Sequence, residues 1–469
     1  MSEPIRKLSL AAIAQALRDG SLSAVELTQS CVDAYDVSLN AYREWTPDLA
    51  LKQARAADAA FANAQDSGLL QGIPISVKDL YGVKDTQTFA GSPAPMPPPW
   101  QTEGDLISGL RARHSVFSGK THTVEFAFGG LGVNSHWGTP RNPWDANTHR
   151  VPGGSSSGAG VSLCEGTALV ALGSDTAGSV RIPASLTGNV GLKTSYGRWP
   201  VSGIFPLSPT LDTAGILTRS VADTVTAFSA IDPHQRSYGP RLAREVSRCT
   251  SADFVIGTGE PALWDDCDPG ISEAVDEALK VLGRAGVQTV SAPLPEAAPA
   301  IELLKVGSVV AAEIDEMLSS TAPQWRDTLD PVVSSRIRDG GSISASEYLH
   351  RRRCLRELSR SADGQFAACQ VMASPTVAIS PPAVKDVQTV EAYRPKNMGA
   401  LRNTCPANYL GLCAITIPVG LDANRMPVGM QLIAPHGHEE QLLAIANCIE
   451  GILGPGHECL GAPPLLDRS

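Results

Sequence analysis

Gly153-Gly154-Ser155-Ser156-Ser157-Gly158, followed by Ser174-Asp175-Thr176-Ala177-Gly178-Ser179-Val180-Arg181-Ile182-Pro183, is the stretch on which the reading of this chain turns. The small residues in both segments suit tight turns and helix starts. Just before the second segment, Ala168-Leu169-Val170-Ala171-Leu172-Gly173 is a short apolar run and reads as a buried strand. Asp175 to Ser179 is then a turn at the carboxyl end of that strand. In open α/β sheets, sites are built at that end. Ser157 to Glu165, rich in small residues, reads as a helix that begins directly after the first glycine-serine turn.

Working outward, Ile73 to Lys78 is a short apolar run that ends in a charge, and it reads as another strand. Val116 to Ser118 and Val190 to Lys193 read the same way, with a helix near Leu106 to Arg113. Residues 8–66 read as helices, and Ser23-Ala24-Val25-Glu26 is a capping-box pattern that starts the second of them. Four prolines between Pro95 and Pro99 make Ser92 to Trp100 an exposed loop rather than helix or central strand. Residues 235–370 read as helical. Ala414 to Val419 and Val428 to Ile433 alternate like half-buried strands around a polar turn. Glu439 to Leu453 carries Leu442, Ile445, Ala446, Ile449 and Leu453 on one helical face.

The chain has 469 residues, room for about three average domains. No repeat, low-complexity linker or sharp break in composition divides it, so one large α/β domain is the simplest account. The formal charge of −10 argues against a nucleic-acid surface. The one basic cluster, Arg351-Arg352-Arg353, sits in a helical pattern and reads as a solvated face. Ten cysteines without a Cys-x-x-Cys pair, and no secretory segment before them, point to reduced thiols and a cytoplasmic location. Met1 to Gly20, with Arg6, Lys7, Arg18 and Asp19, is an amphipathic helix pattern rather than a signal peptide. No apolar run approaches the roughly 20 residues of a membrane span.

The chemistry-bearing residues are serines and a lysine. Serine is a weak nucleophile unless a base takes its proton, and an amide carbonyl under attack needs donors for its developing negative oxygen. The Thr176-Ala177-Gly178-Ser179 turn supplies such donors through backbone N–H groups aimed at one point, with Ser179 as the candidate nucleophile. Lys78 can serve as the base only if neutral. Its reference pKa is about 10.4, and a shift of about three units corresponds to about 4 kcal/mol, within reach only of a desolvated lysine. Ser155 is placed to relay the proton between Lys78 and Ser179.

Taken together and in order, these segments resemble the amidase signature family of serine hydrolases. The likeness runs through Gly72 to Asp79, Gly119-Lys120-Thr121, Glu125 to Gly129, Arg141 to Trp144, Pro152 to Gly158, Gly173 to Pro183, Gly191-Leu192-Lys193 and Tyr196-Gly197-Arg198. It resumes at Ala373 to Thr376, Pro406-Ala407-Asn408 with Gly411, and Pro427 to Leu432. The resemblance implies a central mixed β-sheet flanked by helices, with an N-terminal helical layer over 1–66, a catalytic core over 72–220, a variable helical region over 235–370 and a sheet-completing segment over 371–469. It also implies that Ser179 forms the acyl-enzyme and that Lys78 is the base. Ser155 becomes the bridging serine, after a cis Gly154–Ser155 peptide. The family's two catalytic serines lie 24 positions apart, which selects Ser155 among its neighbours. Thr176, Ala177, Gly178 and Ser179 would line the oxyanion hole, and Ala127 and Phe128 would face the substrate. Asp175 and Arg181 read as a brace for the turn.

The same resemblance implies an amidohydrolase that uses no cofactor and no metal, takes a small amide or a urea- or carbamoyl-derived acid, and is a homodimer. Alanine at 177, where the family usually has glycine, is similar to the allophanate and carboxybiuret hydrolase branch. His122, Thr123 and Lys193-Thr194-Ser195 also depart from the usual pattern, the first two near the expected pocket. One alternative is the A subunit of a glutamine-dependent tRNA amidotransferase, disfavoured by Ile182 where that subunit has glutamine. The other is a catalytically inactive binding protein on the same fold. Gly153 to Gly158 lacks the Lys-Ser/Thr of a phosphate loop. His122 and Glu125 are two candidate ligands without a third, while His114, His136 and His149 read as surface or capping residues.

Overall fold

The apolar runs become strands of one sheet. In the computed structural model, which describes residues 8–235, 241–305 and 309–467, these strands are β1 (Tyr42–Trp45), β2 (Pro74–Lys78), β3 (Val116–Thr121), β4 (Val170–Asp175), β5 (Val190–Lys193), β6 (Thr213–Thr218), β7 (Val255–Thr258), β8 (Gln288–Ser291), β9 (Val371–Pro375), β10 (Cys413–Leu421) and β11 (Pro427–Ala434). Their spatial order is β1-β3-β2-β4-β6-β5-β10-β11-β9-β7-β8. The sheet is mixed: β2 runs parallel to β3 and β4, β7 runs parallel to β8 and β9, and the remaining pairs are antiparallel. β2, β3 and β4 are buried along their whole length, as parallel strands covered on both faces must be.

Helices cover the sheet. Ser157–Glu165 packs on β2, β4 and β6, while Arg181–Leu186 packs on β5, β10 and β11. Ile271–Arg284 and Glu439–Leu453 pack on β10 and β11. One connected apolar core runs from Leu10 to Ile449, so the sheet and its helices form a single large α/β domain. No helix among the described residues is long and apolar enough to cross a membrane.

The capping box forms: the Ser23 hydroxyl accepts from the Glu26 N–H at 3.1 Å, and the Glu26 carboxylate accepts from the Ser23 N–H at 2.9 Å. Arg6 and Lys7 of the amphipathic pattern lie outside the described residues, and the helix itself is Leu10–Asp19.

Four readings of local structure need correction. The 8–66 segment is not all helix, because Tyr42–Trp45 forms an edge strand against β3. Its Arg43 and Glu44 hide the period of a strand, while Tyr35, Tyr42 and Trp45 cluster beside it. The 235–370 region contributes β7 and the outermost strand β8, whose Gln288, Thr289 and Ser291 face solvent and leave no apolar run to read. The proline-rich segment is not wholly exposed, since Met96 is buried and Pro98–Gln101 makes a 3₁₀ turn. Arg351 is also buried, paired with Glu347 at 2.6 Å.

The edge is secured by charge. Asp79, directly after β2, lies 2.7 Å from Arg43 Nε of β1 and 2.9 Å from Lys120 Nζ of β3, all with nearly inaccessible side chains. Neutralising the carboxylate would leave buried Lys120 without its counter-ion and Arg43 with Glu44 alone, a loss of about 3–5 kcal/mol. Asp79→Asn is therefore expected to lower the urea midpoint of unfolding with little change in slope.

Candidate functional site

The site begins with strand register. β2 and β4 are parallel with Val77 opposite Leu172, so Lys78 reaches the carboxyl end of the sheet level with the segment around Ser174. Ser76 and Lys78, two residues apart, point to the same face. That face carries the Ser157–Glu165 helix, docked by a 2.9 Å bond between the Ser76 and Ser162 hydroxyls. The helix thereby brings the residues before its start against Lys78. Lys78 Nζ donates to Ser155 Oγ at 2.7 Å and to Ser174 Oγ at 2.9 Å. The Gly154–Ser155 peptide is cis. The Ser155 loop is tied to its surroundings by Val124 N–H to Ser155 O at 3.1 Å and Ser156 N–H to Ser179 O at 3.2 Å. Gly158 must be glycine, because a Cβ there would lie 2.0 Å from Ala41 O.

Burial decides the state of Lys78. The side chain is inaccessible, and desolvation pulls its pKa down to about 7, against the opposing pull of Asp175 and Asp212. It is therefore substantially neutral near neutral pH.

The turn after β4 is organised by Asp175. Its carboxylate accepts from Gly178 N–H at 2.7 Å and Val180 N–H at 3.1 Å, and both oxygens face the Arg181 guanidinium at 3.1 Å. Burial favours the neutral acid, but Arg181 and the other donors prevail and hold the carboxyl at about 2. Arg181 reaches on to Asn408 Oδ1 at 2.5 Å and to Gln431. The brace anticipated between Asp175 and Arg181 is thus real, and Asn408 and Gln431 extend it across the sheet.

Gly178 N–H is committed to Asp175, whereas no hydrogen bond among the described residues engages the amides of Ala177 and Ser179. Glycine at 178 is needed for another reason: its φ is +133°, and a Cβ would lie 2.1 Å from Thr404 Oγ1. Thr404 in turn holds Ala177 O at 2.6 Å.

A cavity of about 350 Å³ opens onto this turn. Thr176, Ala177 and Ser179 line it from the sheet side, with Ala127 and Phe128 beside them. Phe126 and Ala127 have φ of 51° and 59°, a left-handed turn that presents the Ala127–Phe128 wall. Lys78, Ser155 and Gly178 stand behind this surface rather than on it. The other wall comes from helices of the 235–370 region and the Val390–Leu401 helix, through Leu304, Lys305, Arg336, Asp339, Arg394 and Asn397 among others.

Some departures singled out in the sequence lie elsewhere. His122 and Thr123 are buried and do not line the cavity; His122 Nε2 lies 3.0 Å from Asn40 Oδ1. Glu125 is buried and faces the half-exposed His136 at 3.0 Å. His122 and Glu125 thus have separate partners, and no group of three or more His, Cys, Asp or Glu that could hold a metal forms among the described residues.

Sequence reasoning misses three contributors. Ser174, the second partner of Lys78, sits inside the quoted segment but carries no motif of its own. Asp212 accepts from Thr176 Oγ1 at 2.5 Å and from the amides of Leu207 and Ser208 at 2.9 Å, and burial raises its pKa to about 6. Arg336 lies in a helix with no local signature.

A family model for amidases matches residues 23–443, so the chain belongs to the amidase signature family and is an amidase-type hydrolase. A 2-amino-5-chloromuconic acid deaminase of Comamonas testosteroni is 49% identical over 461 residues, covering 98% of this chain and 99% of that protein. The A subunit of a glutamyl-tRNA(Gln) amidotransferase of Thermobifida fusca (strain YX) is 30% identical, covering 95% and 96%. The crystal structure of an amidase superposes with a TM-score of 0.83 at 26% identity, covering 95% of this chain and all of that one. These likenesses carry the family, and they do not single out the allophanate hydrolase branch suggested by Ala177.

The buried lysine has a measurable cost. Between about pH 7 and the ordinary lysine value of 10.5, the unfolded chain holds a proton that the folded chain has released, so stability rises with pH across that window. Lys78→Met removes this dependence. Relative to the parent, it is expected to gain about 3–4 kcal/mol in unfolding free energy on going from pH 10 to pH 7. Denaturant unfolding across that range measures the difference.

Proposed function

We propose that this chain hydrolyses a C–N bond in a small acid and releases ammonia, with Ser179 as nucleophile, Ser155 as proton relay and Lys78 as base. The observation that carries this reading is the 2.7 Å contact between a desolvated Lys78 and Ser155, directly behind the turn that presents Ser179 to the cavity. Ser179 Oγ attacks the substrate carbon. Its proton passes to Ser155 Oγ as the Ser155 proton passes to Lys78 Nζ. The negative oxygen formed on an amide substrate accepts from the Ala177 and Ser179 amides. Collapse breaks the C–N bond, and the proton held by Lys78 returns through Ser155 to the departing nitrogen. Water then cleaves the acyl-enzyme by the same relay.

The likeness to a 2-amino-5-chloromuconic acid deaminase at 49% identity supports ammonia as the product and a small acid as the substrate class. A second reading, an amidotransferase A subunit, draws on the 30% identity to such a protein. Ile182 after Arg181 argues against it. The intact Lys78–Ser155 contact argues against an inactive scaffold.

Ser179→Ala is expected to lower turnover by at least about 10³-fold, with Lys78→Ala nearly as damaging. Both should lose covalent labelling by a fluorophosphonate, and wild-type-like labelling of either would remove that residue from the assignment. Lys78 must be neutral to act, so kcat/KM should rise about tenfold per pH unit at acid pH and level off above about pH 7.

A further inference from the structure

We infer that Arg336 is the carboxylate-binding residue of the substrate cavity and that the substrate is an anion carrying a carboxylate besides its scissile C–N bond. The inference rests on the hydrolase reading above and adds the group that selects the substrate.

Three cations face the cavity, and two of them are already paired. Arg394 lies 3.0 Å from Asp339, and Lys305 lies 2.6 Å from Glu302. Arg336 has no carboxylate partner among the described residues. Its Nη1 donates to Phe128 O at 2.5 Å, and its guanidinium lies over the Phe128 ring with Cζ 3.9 Å from the ring centre. One of its five N–H donors is thus used, and the plane of the group is fixed. The lining also holds Leu207, Leu304, Val310 and Met398, while its carboxylate, Asp339, is the one paired with Arg394 and the Asn397 side-chain oxygen accepts from Gly130 N–H.

A half-buried guanidinium oriented by stacking, with no carboxylate in contact and facing the cavity, is a costly arrangement for the empty protein. A planar carboxylate completes it through paired N–H···O bonds that a lysine or a neutral amide cannot match. Phe128 joins the two functions. Its carbonyl and ring hold Arg336, and its backbone follows the strained turn whose Ala127 borders the cavity beside Ser179. The anion is therefore held in the same cavity that presents the nucleophile. A volume of about 350 Å³ limits it to a small acid.

The test compares ammonia release from monoamides of dicarboxylic acids of about four to six carbons with release from uncharged amides of equal length. Wild-type enzyme is expected to favour the acids by at least about 100-fold in kcat/KM, chiefly through KM. Arg336→Met should reduce that preference to near unity, and Arg336→Lys should restore only part of it. In parallel, the free dicarboxylates should slow fluorophosphonate labelling of Ser179 in wild type and not in Arg336→Met. That labelling also reports that the variant is folded.

If wild type labels at Ser179 but dicarboxylates give no protection and acids are not preferred, the inference is overturned while the hydrolase reading stands. If Arg336→Met keeps the acid preference, Arg336 is only a brace for Phe128 and the inference is equally overturned. Absence of both labelling and turnover in wild type would overturn the hydrolase reading, and the inference with it.

Discussion

The buried ion pair between Asp175 and Arg181 is the constraint on which the site depends. An Asp carboxylate at the end of β4 accepts two backbone N–H groups from the turn beyond it, and so sets the path of the chain from strand to helix. Burying both charges is tolerable because the remaining donors and acceptors are filled by Asn408 and by Gln431 of β11. Two segments more than 220 residues further along the chain are thereby locked to the turn that carries Ser179. The same pairing determines which amides are used up. Gly178 and Val180 spend theirs on Asp175, and Ala177 and Ser179 keep theirs for the cavity.

A second burial works in the opposite sense. Lys78 has serine partners but no carboxylate at contact distance, and its nearest charges, Asp175 and Asp212, are engaged elsewhere. The protein accepts a destabilising desolvation there, which brings the amine down to about 7 so that a large neutral fraction exists near neutral pH. Lys120, one strand away and equally buried, shows the contrast, because Asp79 lies 2.9 Å from its amine. One burial therefore yields a candidate base and the other a structural cross-link. The difference is the position of one carboxylate.

The legibility of the sequence follows this division. Buried strands such as 73–78 and 168–173, and helices with a clear face such as 439–453, are written in local apolar periodicity, and the structure contains them within a few residues. The small residues around Ser155 and Ser179 are legible because a tight turn, a close backbone approach and a positive φ leave few alternatives. Edge strands are different. β1 and β8 are half-exposed and polar, and only their partners make them strands. The cavity wall is the least legible part. Arg336, Asp339 and Arg394 sit on amphipathic helices where a charged residue facing the pocket looks the same as one facing water. The partner of His136, Glu125, becomes a neighbour only in the fold.

The cavity thus joins two kinds of material. The reactive wall belongs to the sheet, where strand register and the Asp175 network leave little freedom. The opposite wall belongs to helices that touch the sheet through a few latches. Glu313, on the Val309–Thr321 helix, accepts from Ser208 and Thr210 in the loop whose Asp212 holds Thr176, and from Tyr348 on the next helix but one at 2.7 Å. Such latches fix the distance of the helical wall from the turn without specifying what lies between them. Side chains facing the cavity can then change while Ser179, Lys78 and the amides of the turn stay in place. Arg336 belongs to the replaceable wall but is held by the carbonyl and ring of Phe128, which lies on the reactive side. That contact is where the turn on the sheet side and the helical wall meet.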